Sequence, residues 1–95
     1  MSVNYLQVGQ QFRIVLPGNP TTGYTWQYTT IGDDALNIKG GFQSSNPGLT
    51  GAGGQFIFIG TAIAPGRETV VFTYARPWEH DPNPTEKTYN FSISH

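Results

Sequence analysis

Few residues of this chain have side chains that could act as an acid, a base, a nucleophile or a metal ligand. The chain has no cysteine, and its two histidines are His80 and the C-terminal His95. His80 lies between Glu79 and Asp81, but consecutive side chains of an extended segment point to opposite faces and do not converge. No second histidine follows at a zinc-ligand spacing, and no serine occupies a nucleophile-elbow motif. The sequence therefore predicts neither an enzyme nor a metal or cofactor site.

The segment Asn19–Trp26 indicates recognition instead, because it is a stiff, uncharged connection that leads into a strand. Pro20 fixes its own φ and restricts the residue before it. Thr21 and Thr22 are β-branched and have few χ1 rotamers, and Gly23 permits backbone angles that other residues resist. Such a loop loses little conformational entropy when a partner holds it, so we expect it to insert into a partner's surface.

Two further loops have the composition of binding segments. Asn46–Gly54 is rich in glycine, which allows close backbone approach, although a flexible connection explains the same composition. Arg76–Pro84 contains three prolines, and Trp78 lies outside any strand alternation, so we expect it to be exposed. Trp and Arg are enriched at binding hot spots; the alternative is that Trp78 folds back onto the body of the domain.

Between these loops, apolar residues recur with a period of two, as in half-buried strands. Turn residues separate the runs, which predicts an all-β, immunoglobulin-like two-sheet β-sandwich with Trp26 in its core. In a Greek-key sandwich of this kind, we expect the three loops to emerge at one end. About seven strands are expected, around Tyr5–Val8, Gln11–Leu16, Tyr24–Thr29, Leu36–Lys39, Phe56–Ile59, Glu68–Ala75 and Thr88–Ser94.

Three local patterns carry further expectations. Pro17 followed by Gly18 matches the centre of a type II turn, and Gly40-Gly41 marks a break in the chain. The continuous apolar run Phe56–Ile59 predicts a central strand that is covered on both faces.

Length and charge restrict the possible partners. The 95 residues predict one domain over residues 1–95, and the formal net charge is −1. Five scattered Lys and Arg residues argue against nucleic-acid binding, and no apolar run is long enough to cross a membrane. The first residues contain neither a basic nor an apolar signal-peptide region. We expect a monomer, in the cytoplasm or a vesicle if the chain is complete, or in a secretory or lysosomal compartment if a leader has been removed.

Taken in order, three motifs resemble the chagasin family of cysteine protease inhibitors. They are Asn-Pro-Thr-Thr-Gly-Tyr followed by Trp at Asn19–Trp26, Gly-Ala-Gly-Gly at Gly51–Gly54, and Arg-Pro-Trp-Glu at Arg76–Glu79. The spacing matches from Asn19 to Glu79, and the flanking strands extend the similarity over most of the chain.

The resemblance implies a reversible, non-covalent inhibitor whose partner is a papain-like, cathepsin-like cysteine protease. It implies that the first loop enters the active-site cleft, the second runs along the protease backbone, and the third packs on the primed side. The site residues implied are Asn19, Pro20, Thr21, Thr22, Gly23 and Tyr24, then Gly51, Ala52, Gly53 and Gly54, then Arg76, Pro77 and Trp78.

One rival interpretation remains open from the residues alone. A β-sandwich with aromatic loops can be a binding or adhesion module, and fold by itself does not fix function. Tyr24, Trp78 and the glycine-rich loop could form a platform for a carbohydrate or protein ligand. The stiff threonine segment favours the inhibitor, because a sugar platform does not need a wedge.

Overall fold

A computed structural model describes residues 3–18, 23–44, 54–76, 78–80 and 83–95. These residues form seven strands, and none of them belongs to a helix, so no helix here could span a membrane. The strands are β1 (Asn4–Gln7), β2 (Gln11–Gly18), β3 (Thr25–Gly32), β4 (Leu36–Ser44), β5 (Gly54–Ala62), β6 (Gly66–Ala75) and β7 (Thr85–Ser94).

The strands form two sheets, in the order β1-β7-β6-β3 and β2-β5-β4. All pairs are antiparallel except β1 with β7, which is parallel. Strands that are neighbours in sequence therefore alternate between the sheets at β2, β3 and β4, which is the Greek-key arrangement of an immunoglobulin-like sandwich. The predicted fold class and strand count are confirmed.

The core consists of the inward-facing alternate residues of both sheets. Phe58 of one sheet and Phe72 of the other face each other with ring centroids 4.9 Å apart, and Trp26 is buried as predicted. Large rings suit a small domain, because each buries more apolar area than an aliphatic side chain. The buried apolar residues are Ile14, Leu16, Trp26, Ala35, Leu36, Ile38, Phe56, Phe58, Ala62, Val70, Phe72, Phe91 and Ile93.

Two predicted interruptions are wrong, because both lie inside strands. Pro17 and Gly18 continue β2 and pair with Gln55 and Gly54. Proline is tolerated there because β2 is an edge strand, whose outer side needs no backbone donor.

Gly40 and Gly41 likewise continue β4 to Ser44. A Cβ at position 40 would collide with the carbonyl oxygen of Ile57. Glycine here allows close backbone approach rather than marking a turn.

The prediction for Phe56–Ile59 is half right. The segment lies in β5, the central strand of its sheet, and Phe56 and Phe58 are buried. The opposite face is open, however, since Ile59 is 45% exposed. Periodicity could not distinguish a strand buried on both faces from one that leaves isoleucines on the surface.

Glu68 places a carboxyl group inside this core. It is 2% exposed, and its Oε1 accepts a 2.6 Å hydrogen bond from the backbone N–H of buried Ala35. No described residue donates to its other oxygen, Oε2. The bond fixes the start of β4 against β6, because the residue it holds immediately precedes Leu36.

Replacing Glu68 should therefore destabilise the fold in a graded way. Glu68→Ala leaves the N–H of Ala35 buried without an acceptor, which should lower the free energy of unfolding by about 2 kcal/mol. Glu68→Gln keeps an acceptor oxygen and should cost less. Urea denaturation of both variants measures the difference, and equal losses would contradict the assigned role of this hydrogen bond.

Candidate functional site

Strand ends from both sheets meet at one end of the sandwich, which we call the loop end. In one sheet, Gly54 at the start of β5 pairs with Gly18 at the end of β2 and with Ser44 at the end of β4. In the other sheet, Thr25 at the start of β3 pairs with Ala75 at the end of β6. The connections β2–β3, β4–β5 and β6–β7 therefore all begin and end here, as the sequence predicted.

Trp26 joins the two sheets at the loop end. Its indole Nε1–H donates a 2.9 Å hydrogen bond to the carbonyl oxygen of Pro17, so the start of β3 is held against the end of β2. A buried indole N–H needs such a partner. β2 is an edge strand, so carbonyl groups on its outer side have no partner within the sheet.

Five of the thirteen predicted site residues are among those described: Gly23, Tyr24, Gly54, Arg76 and Trp78. The other eight lie outside the described residues, so their predicted roles stay predictions: Asn19, Pro20, Thr21, Thr22, Gly51, Ala52, Gly53 and Pro77.

The first and third loops are in direct contact through Gly23 and Trp78. Gly23 has φ of 88°, a left-handed conformation that L-residues with a Cβ resist. A Cβ at this position would lie 2.5 Å from Cη2 of Trp78, so the indole rests on the bare glycine backbone. Trp78 is nevertheless 71% exposed, which confirms that it is not a core residue.

An aromatic column connects this contact to the core. The rings of Trp26 and Tyr74 have centroids 4.8 Å apart, and those of Tyr74 and Tyr24 are 5.2 Å apart. The guanidinium carbon of Arg76 lies 4.6 Å from the centroid of the Tyr24 ring, within cation–π range. The column gives the first residues after the first loop a rigid support.

Arg76 also fixes the turn that presents Trp78. Its Nη1 donates a 2.9 Å hydrogen bond to Oε1 of Glu79, and the backbone N–H of Glu79 donates to the carbonyl oxygen of Arg76 at 3.1 Å. The side-chain hydrogen bond to Glu79 raises the pKa of the Arg76 guanidinium above its usual value, so the group stays cationic. The guanidinium therefore binds within its own molecule, to Tyr24 and Glu79.

Sequence reasoning missed the roles of Glu79 and Tyr74. The sequence indicates no converging acid–base or metal group at Glu79-His80-Asp81 but does not identify a partner for Glu79, whose carboxylate pairs with Arg76 three residues earlier. That spacing was visible in the sequence. The position of Tyr74 between Trp26 and Tyr24 depends on the register of β3 with β6, which the sequence does not specify.

The described part of the loop end offers shape rather than acid–base chemistry. Across residues 3–18, 23–44, 54–76, 78–80 and 83–95, no three His, Asp or Glu side chains are grouped so that they could hold a metal ion. What this end presents is an exposed indole on a glycine backbone, supported by stacked rings. Such a surface can bind a partner without forming a covalent bond to it.

The Gly23–Trp78 contact can be tested by adding one methyl group. Gly23→Ala should displace the indole of Trp78 and cost about 1 kcal/mol of stability from the positive φ. Two-dimensional NMR of the Trp78 indole N–H reports the displacement, with buried Trp26 as an internal reference. Gly41→Ala is the matched control, since nothing lies within 4 Å of a Cβ there. An unmoved Trp78 resonance in Gly23→Ala would contradict the packing.

Comparison with known families gives one consistent match. The family model described as "Chagasin family peptidase inhibitor I42" matches residues 5–93. Amoebiasin-1 of Entamoeba histolytica is 30% identical over 86 residues, which cover 90% of this chain and 82% of the relative. Chagasin of Trypanosoma cruzi is 32% identical over 85 residues, which cover 84% of this chain and 77% of the relative.

Solved structures share the fold. The solution structure of amebosin superposes with a TM-score of 0.81 at 27% identity, covering 98% of this chain and 89% of that one. The cysteine protease inhibitor EhICP2 of Entamoeba histolytica gives 0.81 at 23% identity, covering 96% and 85%. PbICP-C, solved in complex with falcipain-2, gives 0.71 at 18% identity, covering 98% and 87%.

Proposed function

This chain belongs to the chagasin family of peptidase inhibitors, and on that premise we propose that it inhibits papain-like cysteine proteases reversibly and without a covalent bond. The observation that carries the proposal is the loop end itself, where connections from both sheets emerge together and Trp78 lies on Gly23. PbICP-C, which shares the fold, was solved in complex with falcipain-2.

Inhibition of this kind is occlusion, which requires a shape that fits the active-site cleft and does not deform. In the proposed complex, Asn19–Tyr24 enters the cleft, and Thr21 and Thr22 cover the catalytic cysteine and histidine of the protease. Pro20 and the β-branched threonines limit the conformations that binding must remove. No proton transfer by the inhibitor is needed, because water and substrate are simply excluded.

The two other loops bind on either side of this wedge. We assign Gly51–Gly54 to an extended contact with the protease backbone, where the absence of bulky side chains allows close approach. Pro77 and Trp78 pack on the primed side. Trp78 is suited to this because a large exposed ring is a common binding hot spot.

Arg76 has an indirect role in this scheme. Because its guanidinium stacks on Tyr24 and pairs with Glu79, it holds the first and third loops in a fixed relation. We therefore infer that Arg76 contributes mainly by positioning Trp78 and Tyr24, rather than through an ion pair with the protease.

The proposal is tested by titrating papain with the purified chain and measuring residual hydrolysis of a fluorogenic peptide. We expect activity to fall linearly to zero near one equivalent, and to return on dilution or with competing substrate. Replacing Thr21 and Thr22 together by Asp should weaken inhibition by about a hundredfold or more, because two carboxylates would be buried in the cleft.

Circular dichroism establishes that the double variant is folded. Full inhibition by the folded variant would remove the wedge assignment. If the natural sequence inhibited neither papain nor a cathepsin, a sandwich that binds some other ligand would be the better description.

Trp78 should contribute to affinity without contributing to folding. Trp78→Ala is expected to raise the dissociation constant about thirtyfold, equivalent to about 2 kcal/mol, while the melting temperature changes little because the ring is 71% exposed. Tyr5→Ala is the matched control, since Tyr5 is 79% exposed but pairs with Ser92, far from the loop end. A large loss of melting temperature with unchanged affinity in Trp78→Ala would refute the assignment.

A further inference from the structure

The outer face of the β2-β5-β4 sheet carries exposed apolar side chains away from the loops. Val15 is 43% and Ile59 45% exposed, and Ile57 between them is half-buried. Strand register places Arg13 and Lys39 on either side of Ile59. Since neighbouring strands are about 4.8 Å apart, the Cα atoms of Arg13 and Lys39 lie about 10 Å apart across the isoleucine. We call these five residues the basic face.

The charge of this face differs from that of the rest of the molecule. β2, β4 and β5 contain no Asp or Glu, although the chain has six acidic residues and a net charge of −1. Within the described residues, the ion pair found is that of Arg76 with Glu79, so neither Arg13 nor Lys39 is neutralised there. Two of the five Lys and Arg residues of the chain therefore combine with aliphatic side chains on one acid-free surface.

The face has two shallow, open depressions beside its isoleucines. One hollow of about 400 Å³ lies beside Ile57 and Ile59 towards Arg13 and Gly41. A second of about 340 Å³ lies on the other side, towards Lys39. Nothing lies within 4 Å of a Cβ at Gly41, so this position leaves space beside Ile57.

We propose that the basic face binds an acidic segment of a partner protein, with its carboxylates at Arg13 and Lys39 and an apolar side chain against Ile57 and Ile59. The positive charge of the face favours an acidic segment over a second copy of this chain. A second copy of this chain docking through the same face would bring like charges together, which is unfavourable, whereas an acidic segment complements both cations. The loop end remains free in this arrangement, so the interaction is separate from the proposed inhibition.

A purely protective role is the alternative explanation for the two cations. Arg13 and Lys39 lie on the edge strands β2 and β4, and charged residues on edge strands prevent edge-to-edge association. In that case a charge of either sign would serve equally, and an acidic peptide would have no site here.

The test is an NMR titration of the ¹⁵N-labelled full chain with the blocked octapeptide Glu-Ser-Leu-Ser-Glu-Ser-Leu-Ser, whose glutamates and leucines share one face when it is extended. We expect saturable shift changes centred on the amides of Arg13, Lys39 and Ile59, and none with the matched lysine–leucine peptide. The combined variant Arg13→Glu, Lys39→Glu should weaken binding about tenfold or more. Raising the salt concentration from 0.05 to 0.5 M should also weaken it, because exposed charges are screened.

The matched control is the combined variant Arg67→Glu, Lys87→Glu, which changes the net charge equally but lies in β6 and β7. It should bind the peptide as the natural sequence does. If both combined variants weakened binding equally, net charge alone would explain the effect and the proposed site would be overturned. Shift changes confined to other strands, or no shift changes, would also overturn it. Binding to phosphatidylserine vesicles without peptide binding would make a membrane surface the occupant instead. Dimerisation that depends on concentration in sedimentation, and that Arg13→Glu, Lys39→Glu alters, would make a second copy of the chain the occupant instead.

Discussion

The indole of Trp26 is the contact on which the loop end of this sandwich depends. Its Nε1–H donates to the backbone of β2, the side chain belongs to the buried core, and its ring packs against Tyr74. A two-sheet sandwich has no backbone hydrogen bonds between its layers, so side chains must fix how far apart the strand ends lie. By joining Pro17 to the start of β3, Trp26 determines the distance that the first loop has to bridge.

A series of ring contacts extends from this indole to the surface and restricts the movement of the residues that take part. Tyr74 packs at a tilt against Trp26, Tyr24 stacks on Tyr74, and the Arg76 guanidinium covers Tyr24. Each contact is worth only about 1 kcal/mol, but together they leave the ends of the first and third loops few alternative positions. A rigid inhibitor needs this, because conformations lost on binding subtract directly from affinity. The cationic charge of Arg76 is best understood in these terms, since Glu79 already neutralises it.

The sequence predicted most of the fold because alternation reports directly which side chains face inward. Alternate apolar residues such as Val70, Phe72 and Phe91 are buried, as a period of two in the predicted strands requires. The errors occur where a local signal has two meanings. Pro17-Gly18 and Gly40-Gly41 match turn signals, but strand pairing keeps both inside strands. The isoleucines of β5 lie in a continuous apolar run that indicates burial on both faces, but Ile59 is exposed. For the site, motif order indicated which loops matter, whereas the Tyr24–Arg76 and Gly23–Trp78 contacts depend on long-range register that no local pattern contains.

The loop end and the basic face differ in the kind of partner that each can bind. At the loop end, exposed apolar area is concentrated in one ring held on a glycine backbone, which suits insertion into a preformed cleft. On the basic face, smaller aliphatic side chains lie beside two cations, which suits an extended, charged partner. The face lies on the hydrogen-bonded body of the sheet, where the backbone cannot adjust to a partner, so its selectivity has to come from charge. The same sandwich can therefore hold a rigid wedge at one end and a charge-selective surface on one side, with neither requiring the other to move.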